Sequence, residues 1–367
     1  MQDVVIMGAG AIGRGFLPWT FDTEKYQVTF VEANPVLVKL MRERKCYTTY
    51  RSKNGAYEQK VVHCAHIYAL SEYSIQLTPN PAVVYMCVGP RNCAAAAARL
   101  AGVDCSVVLC ENDPETVDIV KDVTGYDRVY FAIPDVITSN TASPEHLTKD
   151  PLAIHTEDGV LYVDKRATCI DPDVRYCDPD ELRKQWTAKL YLHNTPHCIA
   201  AYLGALVKAQ YLHEAMQHSQ ASAIVNGAMN EMLMALKLKW DIPHDFLDWY
   251  AGKELQRFSN TLLYDPISRV AREPLRKLEL GGRLIGAAQM CLALGFVPQN
   301  ILKGIVSALL FASDTDNDRH LAFVRKSLSP QMLLTYIVGL REGEVLESVL
   351  EEWYPKIAHE LEQLAKS

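Results

Sequence analysis

The chain has 367 residues, of which 49% are hydrophobic and 22% charged; at roughly 150 residues per domain that is enough for two domains with sizeable cores, and the composition excludes a disordered or fibrous protein. Its 37 basic and 44 acidic side chains sum to −7, which favours solubility and removes the overall basic field that nonspecific nucleic-acid binding needs.

From the N-terminus, Met1, Gln2 and Asp3 lead straight into the apolar run Val4 to Met7, with no basic leader ahead of it, so a cytoplasmic location is expected. Short β-rich runs follow at Gln27 to Glu32, Ala82 to Val88, Ser106 to Cys110 and Arg128 to Ala132, with helix-like segments between them. That rhythm predicts an α/β fold, a Rossmann-type and mostly parallel sheet wrapped by helices. Leu152 to His155 and Val160 to Val163, flanking Glu157-Asp158-Gly159, read as a hairpin with a tight Asp-Gly turn, and Ser139 to Asp150 reads as a loop.

From about Pro179 the period changes to that of helices, through Leu182 to Lys208, Ala221 to Lys239, Leu284 to Leu294, Ile301 to Phe311 and Glu344 to Ala365. The chain therefore divides into an N-terminal sheet domain, residues 1–185, and a mainly helical domain, 186–367. The longest uncharged stretch, Leu284 to Leu302, is interrupted by Gln289, Pro298, Gln299 and Asn300, which suits a buried helix and not a membrane span. Ten cysteines lie scattered without a C-x-x-C pair; they read as reduced core residues, and no Cys/His set has metal-ligand spacing.

Directly after the first strand comes Gly8-Ala9-Gly10-Ala11-Ile12-Gly13, then Arg14-Gly15-Phe16 entering a helix. This is G-x-G-x-x-G where a dinucleotide fold requires it: Gly8 permits the turn, Gly10 lets backbone approach a pyrophosphate, and Gly13 allows close packing. The second strand ends at Glu32, nineteen residues after Gly13, where a carboxylate accepts hydrogen bonds from a ribose and repels a 2′-phosphate. NAD is expected over NADP, with FAD as the minor alternative.

Lys189, Asn194 and His197 form K-x-x-x-x-N-x-x-H at the opening of the helical half, with His193 between them. On an ideal helix they fall within about 140° of one another. Pro196 removes a helical hydrogen bond, so a kink or a fresh helix beginning near Asn194 is expected. Spacing alone leaves a polar helix face as the alternative.

Five ordered blocks go further: GAGAIGRGF at Gly8 to Phe16, VGP at Val88 to Pro90, CEN at Cys110 to Asn112, KLYLHNTPHCIAAYLG at Lys189 to Gly204 and RVAREPLRKLELGGRLI at Arg269 to Ile285. Together they resemble the polyol-specific long-chain dehydrogenases over nearly the whole chain. The resemblance implies a metal-independent hydride transfer between nicotinamide and a secondary alcohol. Lys189 matches the family's base, useful only if its pKa falls from about 10.4 toward 7 to 8. Asn194 and Asn112 match a pair of amides that stabilise an alkoxide, and His197 matches a residue that binds substrate hydroxyls and orients the lysine. Gly8, Gly10, Ala11, Ile12, Gly13, Glu32, Val88 and Gly89 fall to the cofactor; Arg269 and Lys277 fall to the polyol or its charged end, amid further positive charge at Arg272, Arg276 and Arg283.

The pattern departs at two places. Relatives carry an Asp-Arg pair where this chain has Asp135-Val136, so Asp135 is kept as a substrate residue and the arginine is lost. His193 stands where an apolar residue is usual, and either tunes Lys189, reads a substrate group or is a partly exposed spectator. The expected substrate is a polyol phosphate, with mannitol 1-phosphate and fructose 6-phosphate as the default pair, handled by a monomer or small homo-oligomer without nucleic acid, membrane or metal. An unphosphorylated polyol, a sugar acid, and a catalytically silent NAD(H) sensor remain the alternatives.

Overall fold

A computed structural model describes residues 1–170, 173–312, 323–341 and 343–366. The chain forms two compact units: Met1–Trp186 with Leu262–Tyr264, and Thr187–Thr261 with Asp265–Ser367.

The first unit is built on one ten-stranded sheet. Its strands are β1 Gln2–Met7, β2 Tyr26–Glu32, β3 Cys46–Lys53, β4 Ala56–Ala69, β5 Val83–Met86, β6 Val107–Leu109, β7 Val129–Asp135, β8 Ile154–Glu157, β9 Val160–Asp164 and β10 Val174–Cys177. The strand order is β10-β9-β7-β6-β5-β1-β2-β4-β3-β8, and the stretch from β7 to β4 is parallel throughout. Val4 to Met7 are wholly buried because helices or loops cover both faces. Alternation divides them: Val4 and Ile6 pack with Phe30 and Tyr85 on one side, Val5 and Met7 with Val31 and Met86 on the other. Helix α1, Pro35–Arg44, starts where the Asn34 side chain accepts the Val36 N–H at 3.0 Å and Pro35 takes the first turn.

Two sequence expectations are corrected by the sheet and its edge. The strands flanking Glu157-Asp158-Gly159 do not pair with each other; β8 runs parallel to β3, and β9 pairs with β7. The hairpin lies earlier, where Asn54 and Gly55 take φ 52° and 79° and β3 pairs antiparallel with β4, the Asn-Gly signature of a tight turn. Nor is Ser139 to Asp150 wholly loop: Ser143 caps a short helix, Pro144–Lys149, by accepting the His146 N–H.

The second unit is helical. Helix Thr195–Leu206 is its centre, with ten residues buried, packed by Ser219–Lys239, Ile267–Ala271 and Gln299–Leu310. Gly304 lets the last of these approach closely, since a Cβ there would lie 2.4 Å from Ile199. Among the described residues no helix is long and apolar enough to cross a membrane.

Candidate active site

In the sheet unit the order β4-β2-β1-β5-β6-β7 reverses between β1 and β5, and ligands of such sheets bind beyond the carboxyl ends of the strands at that reversal. The four polar segments singled out in the sequence follow the ends of β1, β2, β5 and β6. Gly8 has φ +93°, and a Cβ on it would come within 2.5 Å of the Cys87 carbonyl. A Cβ on Gly13 would fall 1.9 Å from the Gly8 carbonyl. Gly10, by contrast, is exposed and meets nothing within 4 Å, so the loop is tight against the protein on one side and open on the other. Ala11 and Ile12 are half-buried beside it.

The helix after the loop is not the regular one expected; it is a π turn, Ala11–Phe16, followed by a single 3-10 turn, Leu17–Trp19. Arg14, buried beneath, fastens the loop by donating from Nε to the Ala9 carbonyl and from Nη1 to the Leu152 carbonyl, both at 2.7 Å. Glu32 accepts the Ala9 N–H at 2.7 Å and the Asn34 N–H at 2.8 Å. Loop and acid are thus one hydrogen-bonded piece, and each carboxylate oxygen keeps accepting capacity for a ribose hydroxyl. An open backbone cradle at Gly10 with a carboxylate fixed beside it fits a dinucleotide.

The turn after β5 has a support that sequence reading missed. Glu111 accepts the Val88 N–H at 2.7 Å and the Gly89 N–H at 3.0 Å, and Gly89 takes φ +87°. Asn112, next in the chain, is exposed. Burial pushes the Glu111 carboxyl up to about 7 against the pull of those two N–H groups. A raised carboxyl pKa costs stability as pH climbs from about 4.5 through 7, on the order of 3 kcal/mol in all. Glu111→Gln keeps an accepting oxygen and removes the charge, so its melting temperature relative to the native chain should rise between pH 5 and pH 8; a difference that stays flat with pH refutes the assignment.

In the helical unit, Lys189–Asn194 is a π turn and Thr195–Leu206 an α-helix, so the chain does change helix at Asn194, with Pro196 in the first turn where its missing N–H is harmless. The π turn explains the K-x-x-x-x-N spacing. It closes i to i+5, so Lys189 and Asn194 lie closer around the axis than the about 140° of a regular α-helix; His197 then follows Asn194 by three residues of α-helix. Lys189, His193, Asn194 and His197 are all buried, at 5% to 8% exposure.

Both histidines are held by carboxylates from distant parts of the sequence. His197 Nε2 lies 3.1 Å from Asp265 Oδ2, and Arg269 donates to the other oxygen from Nε at 2.8 Å. Burial raises the Asp265 pKa, but Arg269 and His197 outweigh it and the net shift is down. His193 Nδ1 lies 2.5 Å from Glu254 Oε2, and Glu254, wholly buried, also pairs with Arg257 and with Lys253. The imidazole centroids are 4.9 Å apart, and both rings lie against Phe258. Burial lowers the pKa of both, His193 to about 4, so both rings are neutral near pH 7.

Arg269 is tied to Asp265, and so acts on His197 through that carboxylate. Lys277 is 3% exposed and donates from Nζ to the carbonyls of Val270 and Arg272; burial draws its pKa down to about 7. In its charged form one N–H is left over for a ligand oxygen. Arg272 is exposed, and Arg276 pairs with Glu273 at 3.2 Å. Asp135 closes β7, buried, opposite Val160. Val136 is a core residue, and a Cβ on Gly159 would lie 2.5 Å from its own; the lost arginine is replaced by packing. Among the described residues no three His, Cys, Asp or Glu side chains gather as a metal site, and all ten cysteines are free thiols.

A glycine loop at the reversal of a parallel sheet, with an acid fixed at the next strand end, defines a dinucleotide-binding protein of the Rossmann class. Comparison with known proteins narrows the class. The profile described as the mannitol dehydrogenase Rossmann domain matches residues 2–163, and that of the mannitol dehydrogenase C-terminal domain matches residues 181–352. The chain belongs to the mannitol dehydrogenase family and is an NAD-dependent oxidoreductase of that family. It is 28% identical to a mannitol-1-phosphate 5-dehydrogenase of Thermoanaerobacter pseudethanolicus, over 96% of this chain and 97% of that one. With a protein of that description from Geobacillus stearothermophilus it shares 29%, over 88% and 91%. The Pseudomonas fluorescens mannitol 2-dehydrogenase, solved as a ternary complex with NAD and D-mannitol, has the same fold, with a TM-score of 0.73 at 15% identity over 100% of this chain and 91% of that one. A substrate-free D-sorbitol dehydrogenase gives 0.60 at 14%, over 99% and 91%.

Proposed function

We propose that the chain interconverts a polyol phosphate and its ketose phosphate, with mannitol 1-phosphate and fructose 6-phosphate as the pair, by metal-independent chemistry in which Lys189 is the general acid and base. The observation that carries the reading is the π turn that runs from Lys189 to Asn194 and leads into His197, with all three side chains buried. The two relatives named as mannitol-1-phosphate 5-dehydrogenases support the phosphorylated substrate, and the ten free cysteines are consistent with a cytoplasmic location.

Gly8, Gly10, Ala11, Ile12, Gly13, Val88 and Gly89 would hold the dinucleotide phosphates and nicotinamide end, and Glu32 the ribose. When bound, NAD supplies the hydride acceptor. In the oxidative direction Lys189 takes the hydroxyl proton as the alcohol carbon is oxidised, and in reduction it returns that proton to the alkoxide oxygen. The Asn194 amide donates to the oxygen as its charge builds, such a donor being worth about 3 kcal/mol at the transition state. His197, neutral and with its Nε2–H committed to Asp265, offers Nδ1 as an acceptor to a substrate hydroxyl. The remaining N–H of Lys277 serves the anionic end, with Arg269 bracing His197 through Asp265; Asp135 is the other substrate residue.

The test is the loss of NADH absorbance with fructose 6-phosphate, run beside fructose and a sugar acid, with NADPH and a chelator as controls. Turnover is expected with fructose 6-phosphate and NADH, at least tenfold faster than with NADPH and unchanged by the chelator. Turnover with fructose alone moves the substrate to an unphosphorylated polyol; abolition by the chelator removes the metal-independent mechanism.

A further inference from the structure

We infer that Glu254 and His193 form a second imidazole–carboxylate pair that reads a substrate hydroxyl and helps set which polyol is accepted; this rests on the dehydrogenase reading above and deepens it. The helical unit holds two such chains side by side, Arg269–Asp265–His197 and Arg257–Glu254–His193. Asp265 and Glu254 lie 68 and 61 residues from their histidines, yet the imidazoles end 4.9 Å apart against one phenyl ring. A carboxylate only accepts hydrogen bonds, so the ring nitrogen facing it carries the proton. Glu254 therefore fixes the His193 proton on Nδ1 and leaves the Nε2 lone pair as an acceptor; Asp265 does the converse for His197, leaving Nδ1. Burial keeps His193 neutral, and Arg257 and Lys253 bring the positive charge that offsets the buried Glu254.

Two neutral acceptors next to each other bind donors. Polyol hydroxyls are donors; a carboxylate or a phosphate oxygen is not, and would meet two lone pairs there. The pair thus selects hydroxylated carbons at this end and requires the charged end of a substrate to lie elsewhere. A wholly buried glutamate with two cations and an imidazole is costly to maintain for a helix contact that an apolar pair would serve, which argues for a role in the site. The His193 ring lies 4.9 Å from that of His197, so the hydroxyl it reads neighbours the one that His197 holds. Glu254 is a positioning residue, acting through the ring it orients.

The experiment compares Glu254→Gln, His193→Leu and His193→Asn with the native enzyme, measuring kcat, KM, NADH affinity and melting temperature. The amide introduced by Glu254→Gln can donate to Nδ1 and turn Nε2 into a donor, so this variant should raise KM for the polyol about tenfold, as loss of one hydrogen bond of roughly 1.4 kcal/mol does, with kcat within threefold and NADH binding unchanged. Both His193 variants should match it, and Glu254→Asp should recover most of the loss. With substrates lacking one hydroxyl at a time, the analogue without the hydroxyl that His193 reads should show the same KM in the native enzyme and in His193→Leu. Unchanged KM in folded Glu254→Gln and His193→Asn overturns the inference, as does a loss confined to melting temperature. A native enzyme that turns over no polyol or ketose, phosphorylated or not, despite binding NADH, defeats the dehydrogenase reading itself and this role with it.

Discussion

Replacing Lys189 by Ala should lower kcat by a factor of about 10² to 10⁴, the usual contribution of a positioned acid or base, while NADH binding changes less than twofold. The physical ground is that Lys189 opens and Asn194 closes a single π turn: the group proposed to take the proton and the amide proposed to steady the oxygen left behind are presented by one turn of backbone. Lys277 is the rival. It is buried, and burial draws its pKa to about 7, which is where a working base belongs. Its Nζ, however, donates to the carbonyls of Val270 and Arg272, so it pins a turn and has one N–H to spare in its charged form. Lys277→Ala should therefore raise KM more than it lowers kcat, and the effect should be largest for a phosphorylated substrate. Rapid-mixing measurements of NADH oxidation, with cofactor affinity read separately by fluorescence, distinguish the two lysines. Should Lys277→Ala abolish turnover at unchanged KM while Lys189→Ala stays active, the base is Lys277 and the π turn serves only to orient substrate.

What could be read from the sequence follows contact range. The glycine loop and Glu32 are legible because their geometry is local: a strand, a turn that only glycine can make, and an acid at the end of the next strand. The change from strands to helices near residue 180 is legible for the same reason. The β3–β4 hairpin carries a local signal of the same kind, Asn54-Gly55, as strong as that at Asp158-Gly159. The apolar runs either side of the latter suggest a pair of strands, but they belong to different parts of the sheet. A π turn has no pattern of its own at the level of six residues, so KLYLHN looks like any helical stretch until the fold shows otherwise.

The carboxylates behind the histidines are a different matter. Glu254 sits in an ordinary helix, His244–Phe258, among charged and polar neighbours, and nothing in its local sequence distinguishes it from a solvated glutamate. Only the fold, by carrying that helix against Lys189–Asn194, makes it a partner of His193. Glu111 had a nearer signal, since it stands between the end of β6 and Asn112, but its target is a pair of backbone N–H groups on another strand's turn, and backbone partners leave no trace in side-chain spacing. Arg14 reaches 138 residues along the chain to the Leu152 carbonyl in the same way.

The glycine loop gives the second large effect, because Gly10 and Gly13 differ in the space around them. At Gly13 a methyl group would sit 1.9 Å from the Gly8 carbonyl, a backbone atom that cannot move without opening the turn held by the Gly8 N–H to Val31. Gly13→Ala should cost ~3 kcal/mol or more, at or beyond the upper end of overpacking penalties, and lower the melting temperature by about 10 °C. At Gly10 the backbone is extended, at φ −77° and ψ −157°, which any residue adopts, and a Cβ meets nothing within 4 Å. Gly10→Ala should therefore melt within about 1 °C of the native chain and yet bind NADH at least tenfold more weakly, because the methyl occupies the space through which backbone approaches the pyrophosphate. Calorimetry and NADH titration on the same two proteins check both halves. Equal NADH affinity in Gly10→Ala places the cofactor on some other face of the sheet unit, and an undisturbed melting temperature in Gly13→Ala means that the turn after β1 yields more readily than its hydrogen bonds imply.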